Sequence, residues 1–412
     1  MTRHVLMMAA LVSACASTSP AGPRGELADE LSARTGLDDV VVDRNDAEAL
    51  QDVQRRVEEL LSKPLTVEAA TRIAALNNRG LAATFEGLGV AQADLVQAGL
   101  LQNPTLGGDV VISTRGNGLG GGLGLSQSLL SAFLIPAKKR LASTQLQRAI
   151  VRVADETLTL LRDVKVAYAG MQAAVAQYGL QRTLVQGAEV ADELAARIFE
   201  AGNLSELDRQ LFASDLDHAR LALADAALQQ SMGREALNRE LGLWGPQLGW
   251  RLATTLQDPP DEESDLARLE QLGIEQRLDL SAARFEVESM DYALQLRRRG
   301  LIPAIEVGVE ARNEVGNDAG HEWVVGPSLS IEIPIFDPGH ADIARLGAQL
   351  RMAQHSMQQL AVDARSQIRE RRVALLTARA KSGVRTRDRV AAAHGGGGAR
   401  DGALQRDVDR CL

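Results

Sequence analysis

The chain has 412 residues, of which 45% are hydrophobic, 24% are charged and 3% are aromatic, and its formal net charge is -9. Two cysteines are too few for a disulfide-rich scaffold, and the acidic balance excludes a general nucleic-acid-binding protein, which needs a basic surface. Beyond the first dozen residues no apolar run approaches the ~20 residues of a membrane-spanning helix.

Residues 1–14 are typical of a secretory signal peptide. A basic start at Arg3 precedes a short apolar stretch that ends in small residues, and this stretch is too short to cross a bilayer as a helix. Residues 12–15 resemble a bacterial lipobox, which implies cleavage before Cys15 and attachment of acyl chains such as palmitate. The alternative is a plain signal peptide with an incidental cysteine. We expect a lipid anchor on Cys15 and no cofactor.

Residues 15–63 are predicted to form a lipid-anchored arm with little hydrophobic core of its own. The segment is polar and acidic, and only residues 27–31 and 50–61 favour short helices. We assign no chemistry to this arm.

Residues 64–250 and 265–381 are predicted to be two copies of one unit, the second of them incomplete. In the first copy a helix ends before Pro104, and in the second a helix over 265–301 ends before Pro303, since proline cannot continue a helix. The prolines and the apolar residues before them are related by a constant offset of 199 residues. An offset this long indicates duplication of a whole substructure.

Each copy continues into a predicted β-hairpin, residues 104–130 in the first and residues 303–336 in the second. In the second hairpin apolar residues alternate with Glu306, Glu310 and Arg312, which gives the strand one apolar and one polar face. Glycine-rich stretches supply the turns between the strands.

Four two-faced strands indicate a membrane-embedded sheet that several chains share. Each strand has the length of ~9–11 residues that crosses a bilayer obliquely. An open edge in lipid leaves backbone groups unpaired, and four strands are too few to close a barrel. We therefore expect several chains to pool their hairpins into one transmembrane β-barrel. The alternative is a soluble protein whose exposed hairpins pack on helices.

A long antiparallel helical hairpin is predicted over residues 137–243. Apolar residues of its first arm recur at heptad spacing from Ile150 to Tyr178, which is typical of a coiled coil. The arm breaks at Gly202, and Ser205 followed by an acidic residue resembles a capping box at the start of the second arm. The predicted fold class is therefore mainly α, with long coiled-coil hairpins and two β-hairpins per chain.

Several motifs of the duplicated unit resemble those of TolC-type outer-membrane efflux proteins. Residues 95–104 and 125–130 look like the family's first-repeat motifs, and residues 334–339 are similar to its second strand-to-helix turn. The resemblance implies a homotrimer in the cell outer membrane, with a twelve-stranded barrel in the lipid and a helical tunnel projecting into the periplasm. It further implies passive export of small molecules or ions, fed by an inner-membrane pump and a periplasmic adaptor protein.

The break between the two long arms is similar to the periplasmic helix tip of this family. In the family, the glycine and the hydrophobic residue after it dock the adaptor. The resemblance implies that role for Gly202, Leu204 and Ser205. The alternative is a helix turn that needs only a glycine and a cap.

The strands supply candidates for the lumen of such a barrel but none for catalysis. Four charged residues are predicted to face the lumen and tune its field: Glu306, Glu310, Arg312 and Glu332. Generic solvated strand faces would carry the same residues. Residues 116–121 satisfy the GxGxxG pattern but lead into a strand, so no dinucleotide site is expected. The histidines are scattered, and we expect no metal site and no enzymatic activity.

The last part of the chain departs from the pattern of the first copy. A long helix is predicted over residues 339–381, and residues 382–412 are then rich in arginine and glycine with little apolar content. This composition indicates a disordered or out-of-frame tail. A frameshift or truncation near residue 381 would remove the second helix tip and the gating helix that the resemblance implies. Reading the encoding DNA in its other two frames decides this hypothesis.

Two functions of different classes follow from these observations. The first is a channel subunit of a tripartite efflux system that acts as a passive duct. The alternative is a non-conducting periplasmic coiled-coil lipoprotein with a structural or partner-binding role. Conductance by the purified protein separates the two.

Overall fold

The computed structural model describes residues 19, 21–38, 41, 47–112, 119–253, 268–300, 305–315 and 321–393. The helices are α1 Ala21–Thr35, α2 Ala47–Ser62, α3 Val67–Asn77, α4 Arg79–Ala98, α5 Leu129–Glu200, α6 Glu206–Leu241, α7 Leu269–Gln276, α8 Leu278–Arg299 and α9 His340–Ala393. The strands are β1 Thr105–Ile112, β2 Leu119–Ser128, β3 Ile305–Val315 and β4 His321–Ile331. A short 3₁₀ helix, Gly245–Gly249, follows α6. The predicted signal peptide, Cys15, Pro303 and the hairpin turns lie outside the described residues.

The chain divides into two compact units, which we call the sheet unit and the helical unit. The sheet unit comprises Met1–Pro23, Gly87–Arg152 and Leu269–Glu370. The helical unit comprises Arg24–Glu86, Val153–Arg268 and Arg371–Leu412. The dominance of helices, with one antiparallel sheet, confirms the predicted fold class.

The four strands of the sheet unit form one antiparallel sheet in the order β1-β2-β3-β4. β1 pairs with β2 and β3 pairs with β4, which are the two predicted hairpins. β2 also pairs with β3, so the hairpins of the two copies share one sheet. β1 and β4 are consequently its edge strands.

The core of the helical unit forms where α2 and α3 meet α5 and α6. Its buried apolar side chains include Val57, Leu65, Ile73, Leu76, Val164, Tyr168, Met171, Leu237, Leu241 and Trp250. The hydroxyl of Tyr168 donates a hydrogen bond to the carbonyl oxygen of Leu65 at 2.9 Å. This bond satisfies the one polar group that the tyrosine brings into the core.

Two helices of the N-terminal arm carry buried apolar side chains. Leu27 and Leu31 of α1 are fully buried, and Val53 and Val57 of α2 belong to the core of the helical unit. Each pair is four residues apart and therefore shares one face of its helix. The two short helices form as predicted. The arm was predicted to have little core of its own, and Val53 and Val57 accordingly pack into a core that other helices mostly supply.

The first long arm begins earlier than the sequence predicted. Helix α5 starts at Leu129 and contains Pro136, whereas the helix was expected to begin after this proline. Proline removes the hydrogen bond that the carbonyl of Ala132 would accept. Pro136 and Ala132 are both exposed, so water can reach that carbonyl. Because Pro136 lies at an exposed position, the helix can continue through it.

The predicted helix over residues 265–301 is interrupted at Arg277, which is extended between α7 and α8. The guanidinium of Arg277 donates to Asp279, most closely at 2.6 Å, and Asp279 also accepts the N–H of Leu280 at 2.8 Å. Burial alone would raise the pKa of Asp279, but the hydrogen bonds and charge of Arg277 and the Leu280 N–H lower it overall. No glycine or proline stands at Arg277, and the apolar residues keep helical spacing on both sides of it. The sequence therefore carries no signal for this break.

Helix α9 continues beyond residue 381, where the sequence predicted a disordered or out-of-frame tail. It ends at Ala393, so residues 382–393 are helical and not disordered. Alanine and arginine are good helix formers, and they outweigh the loss of the apolar period there. Residues 394–412 lie outside the described part of the chain, and the frameshift stays a prediction.

Candidate functional site

One face of the sheet is almost wholly apolar. In the strand pairing Leu125 of β2 lies opposite both Leu106 of β1 and Val309 of β3, so these residues share that face. The large apolar side chains of this face that are more than half exposed are Leu106, Val110, Leu123, Leu125, Val309, Trp323, Val325, Leu329 and Ile331. A contiguous exposed apolar surface of this kind marks contact with a partner or a membrane.

The opposite face of the same sheet is polar. Glu306, Glu310 and Arg312 alternate with the apolar residues of β3 and therefore lie together on this polar face. Glu332, the fourth residue predicted to face the lumen, is exposed but lies one position beyond the end of β4. The sheet thus brings three of the four predicted residues together and leaves out Glu332.

Asp109 is a member of the polar face that the sequence analysis missed. In the pairing of the strands, Gly122 of β2 lies opposite Asp109 of β1 and opposite Arg312 of β3. The alternation of Asp109 with Leu106 and Val110 in β1 is the signal that would have found it. That signal was weak because two glycines interrupt the strand.

Glycine makes room for the long charged side chains on this face. A Cβ atom at Gly122 would lie 2.7 Å from Oδ1 of Asp109 and 3.1 Å from Cγ of Arg312. Arg312 also forms an ion pair with Glu310 at 3.4 Å. These charges and the hydroxyls of Thr105, Ser126 and Ser328 line a cavity of about 270 Å³. The polar face therefore offers water and ions a hydrophilic, charged surface.

The tip between α5 and α6 is closed by a Schellman motif. The N–H of Asn203 donates to the carbonyl of Ile198 at 3.0 Å, and the N–H of Gly202 donates to the carbonyl of Phe199 at 2.8 Å. Gly202 has a φ of 79°, a left-handed conformation that favours glycine. The predicted break at Gly202 is confirmed.

Ser205 caps the start of α6, as the capping pattern predicted. Its hydroxyl accepts the N–H of Asp208 at 3.1 Å and donates to the carboxylate of Asp208 at 2.7 Å. Behind the tip, Arg209 of α6 donates to Asp192 of α5 at 2.7 Å and ties the two arms together. Gly202 and Ser205 are exposed and Leu204 is half-buried. The tip is thus a defined turn in which Leu204 lies between small exposed residues, and Leu207 follows it as an exposed apolar side chain.

The described part of the chain has neither a side-chain cluster suited to a metal ion nor a helix suited to crossing a membrane. Within it, no group of three or more histidine, cysteine, aspartate or glutamate side chains could hold a metal ion. None of the helices described is both long enough and apolar enough to cross a membrane.

Solved structures of bacterial outer-membrane channels have the same architecture. The Campylobacter jejuni CmeC outer membrane channel matches with a TM-score of 0.61 at 13% sequence identity, over 88% of this chain and 81% of that one. The outer-membrane channel OprN matches with a TM-score of 0.57 at 16% identity, over 86% of this chain and 85% of that one. This chain has the outer-membrane channel fold.

The outer-membrane channel fold also extends to the Vibrio cholerae outer membrane protein VceC. Its TM-score is 0.56 at 15% identity, over 89% of this chain and 91% of that one. The predicted fold class, mainly α with two β-hairpins, is therefore confirmed, whereas the closed barrel and the trimer stay predictions. No protein-family model matches the chain, and no curated protein sequence matches it.

Proposed function

We propose that the chain is a subunit of an outer-membrane channel that exports small molecules or ions passively. The observation that carries this proposal is the two-faced sheet, with an exposed apolar face on one side and charged residues on the other. A sheet of this kind suits a boundary between lipid and water. The outer-membrane channel fold supports the same function.

Three chains are proposed to complete the membrane domain. Among the residues that the structure describes, no strand pairs with the outer sides of the edge strands β1 and β4, and in lipid each unpaired backbone group costs several kcal/mol. Pairing of β4 of one chain with β1 of the next would satisfy these groups and close a barrel of twelve strands. Four strands alone are too few to enclose an interior.

The polar face is proposed to line the lumen of this barrel. Asp109, Glu306, Glu310 and Arg312 would then face the aqueous path, and the apolar face would contact lipid. Side chains alternate along each strand, so one face cannot turn toward lipid without turning the other toward the lumen. The lipid anchor proposed on Cys15 would hold the N-terminus at the same membrane.

The helix tip is proposed to dock a periplasmic adaptor that connects the channel to an inner-membrane pump. Support comes from the exposed turn at Gly202 and Ser205, with the half-buried Leu204 between them. Leu204→Glu is expected to lower cysteine cross-linking to the adaptor in intact cells, whereas Leu184→Glu, at an exposed site within α5, is not. Equal cross-linking of the two variants would contradict docking at the tip.

Planar-bilayer recording with the purified full chain tests the channel function. The proposal predicts stable single-channel steps, and mild electrophoresis or light scattering is expected to give the mass of three chains. A lipid-tethered monomer that never conducts would overturn the proposal. That outcome is the one expected for a non-conducting periplasmic lipoprotein.

A further inference from the structure

A groove of the helical unit lies between the N-terminal arm and the first long helix. Its volume is about 1340 Å³, and its walls come from the end of α1, the end of α2, the start of α3 and one stretch of α5. All of these segments belong to the helical unit. The stretch of α5 runs from Leu158 to Ala169, which is about 17 Å at ~1.5 Å per residue. About five residues of extended peptide would match this length.

The groove combines apolar side chains with an excess of positive charge. Leu60 and Leu158 are half-buried in its lining, whereas Val166 is 65% exposed. The lining contains one anionic side chain, Glu68, and five cationic ones: Arg34, Lys63, Arg72, Arg162 and Lys165. In a chain whose net charge is -9, such a surface favours an occupant that is acidic and partly apolar.

Ion pairs between close neighbours in the sequence engage some of these cations. Arg34 donates to the carboxylate of Glu30 at 2.6 Å, and the amine of Lys63 lies 3.8 Å from the carboxylate of Glu59. Each pair joins residues four positions apart. Exposed pairs of this kind contribute little to stability, so these side chains can pair with another carboxylate at small cost.

The chain contains an acidic segment of matching chemistry, residues 254–267. It has five aspartates and glutamates, no lysine or arginine, and the apolar residues Leu256 and Leu266. This segment lies outside the described residues. Its composition complements both the charge and the apolar lining of the groove.

The described chain reaches the groove just before the acidic segment begins. The N–H of Ala253 donates to the carbonyl oxygen of Leu65 at 2.9 Å, and the N–H of Leu65 donates to the carbonyl oxygen of Arg251 at 2.7 Å. Leu65 stands between Pro64 and Thr66, which both line the groove. This bridge is parallel, so the chain leaves Ala253 in the direction of Thr66. The acidic segment therefore starts beside the groove.

We propose that the groove binds residues 254–267 of the same chain, which pair their carboxylates with its cations and place their leucines against its apolar lining. Covalent attachment at Ala253 gives the segment a high effective concentration at the groove. Fourteen extended residues reach about 45 Å, well beyond the length of the groove. One peptide then contacts the N-terminal arm and α5 together. The docking concerns the helical unit and does not depend on the channel function.

Zero-length cross-linking of the purified full chain tests the docking. A carbodiimide joins a lysine amine to a carboxylate only where the two groups are in contact. Lys63 and Lys165 line the groove, whereas Lys138 and Lys139 belong to the sheet unit. Mass spectrometry is expected to find links from Lys63 and Lys165 to the carboxylates of residues 258–265, and none from Lys138 or Lys139. The link from Lys63 to Glu59 is the positive control.

Denaturing electrophoresis before the mass spectrometry identifies the occupant of the groove. Docking within one chain predicts that the links between groove and segment occur in the band with the mass of one chain. Links found only in the band with the mass of two chains would assign the groove to the segment of a second copy and overturn the proposal. Absence of these links, in protein where Lys63 is joined to Glu59, would also overturn it and leave the groove to a different partner.

Charge reversal adds a second readout, the rate of amide hydrogen exchange in residues 254–267. Lys63→Glu with Lys165→Glu is expected to raise this rate roughly fivefold to tenfold, because like charges then face the segment. Lys138→Glu with Lys139→Glu makes the same change of charge and is expected to leave the rate unchanged. Adding Asp261→Lys and Glu262→Lys to the groove variant is expected to restore slow exchange. Equal rates in the two lysine pairs, or no rescue by the reversed acids, would contradict the docking.

Discussion

Leu125 of β2 lies directly opposite Val309 of β3, and this pairing joins the hairpins of the two copies into one sheet. Both side chains lie on the apolar face, so the hairpins of the two copies present their apolar residues on the same side of the sheet. A register shift of one residue would place Leu125 opposite Glu310 and mix the faces. The junction between the copies is therefore the part of the sheet on which the two-faced pattern depends.

Gly308→Ala is expected to weaken this junction. A Cβ at Gly308 would lie 2.5 Å from the carbonyl oxygen of Leu125 and 2.7 Å from the hydroxyl of Ser328. The strands must separate to admit it, which we expect to cost about 1–3 kcal/mol. Thermal unfolding and amide exchange of β2 and β3 measure the loss. Gly326→Ala is the control, because a Cβ at Gly326 meets open space, and equal stability of the two variants would refute the register.

Gly242→Ala is expected to destabilise the helical unit by about 2–3 kcal/mol. Gly242 ends α6 with a φ of 67°, and its Cβ would lie 2.9 Å from the carbonyl oxygen of Asn77. Asn77 in turn donates to the carbonyls of Leu241 and Gly242 at 3.0 and 2.8 Å. Gly245→Ala separates strain from crowding, because Gly245 has a similar φ of 57° but open space around it. A loss in Gly245→Ala as large as in Gly242→Ala would show that crowding plays no part.

Arg234→Lys is expected to cost about 1–3 kcal/mol although the charge is kept. The guanidinium of Arg234 lies 4.1 Å from the centroid of Trp250 and donates to the carbonyls of Leu248 and Trp250 at 2.6 and 2.8 Å. Lysine cannot stack on the ring and reach both carbonyls. The thermal midpoint and near-ultraviolet dichroism of Trp250 report the change. Arg239→Lys, at an exposed position, is the control and is expected to keep the wild-type thermal midpoint. A thermal midpoint for Arg234→Lys equal to that of Arg239→Lys would contradict the stabilising role of the Arg234 contacts.

Asp279→Asn is expected to alter the acid dependence of stability. The folded-state pKa of Asp279 is lowered overall, against the effect of burial, by the hydrogen bonds and charge of Arg277 and by the Leu280 N–H. Its stabilisation is therefore present above the unfolded-state pKa of about 4 and is lost as pH falls through the lower folded-state value. The difference in free energy of unfolding between wild type and Asp279→Asn should become smaller below about pH 4. Asp225→Asn, at an exposed position, is the control. A difference that stays constant across the acid range would contradict the ion pair.

The sequence predicted much of this architecture because the spacing of apolar residues along a helix or strand shows which of its faces is apolar. The alternation from Ile305 to Arg312 predicted a two-faced strand, and Gly202 with Ser205 predicted the helix tip. The sequence did not reveal features that depend on three-dimensional surroundings. The break at Arg277 coincides with its ion pair to Asp279, and α5 runs through Pro136 at an exposed position. The place of Asp109 near Arg312 follows from strand register.

Cysteine modification during bilayer recording tests the central claim most directly. Glu310→Cys and Val309→Cys are adjacent in β3 but lie on opposite faces of the sheet. In a Cys411→Ser background, a charged water-soluble thiol reagent is predicted to reduce the conductance of Glu310→Cys and to leave that of Val309→Cys and the unmodified background unchanged. Absence of conductance, or a larger effect at Val309→Cys than at Glu310→Cys, would contradict a channel lined by the polar face of the sheet.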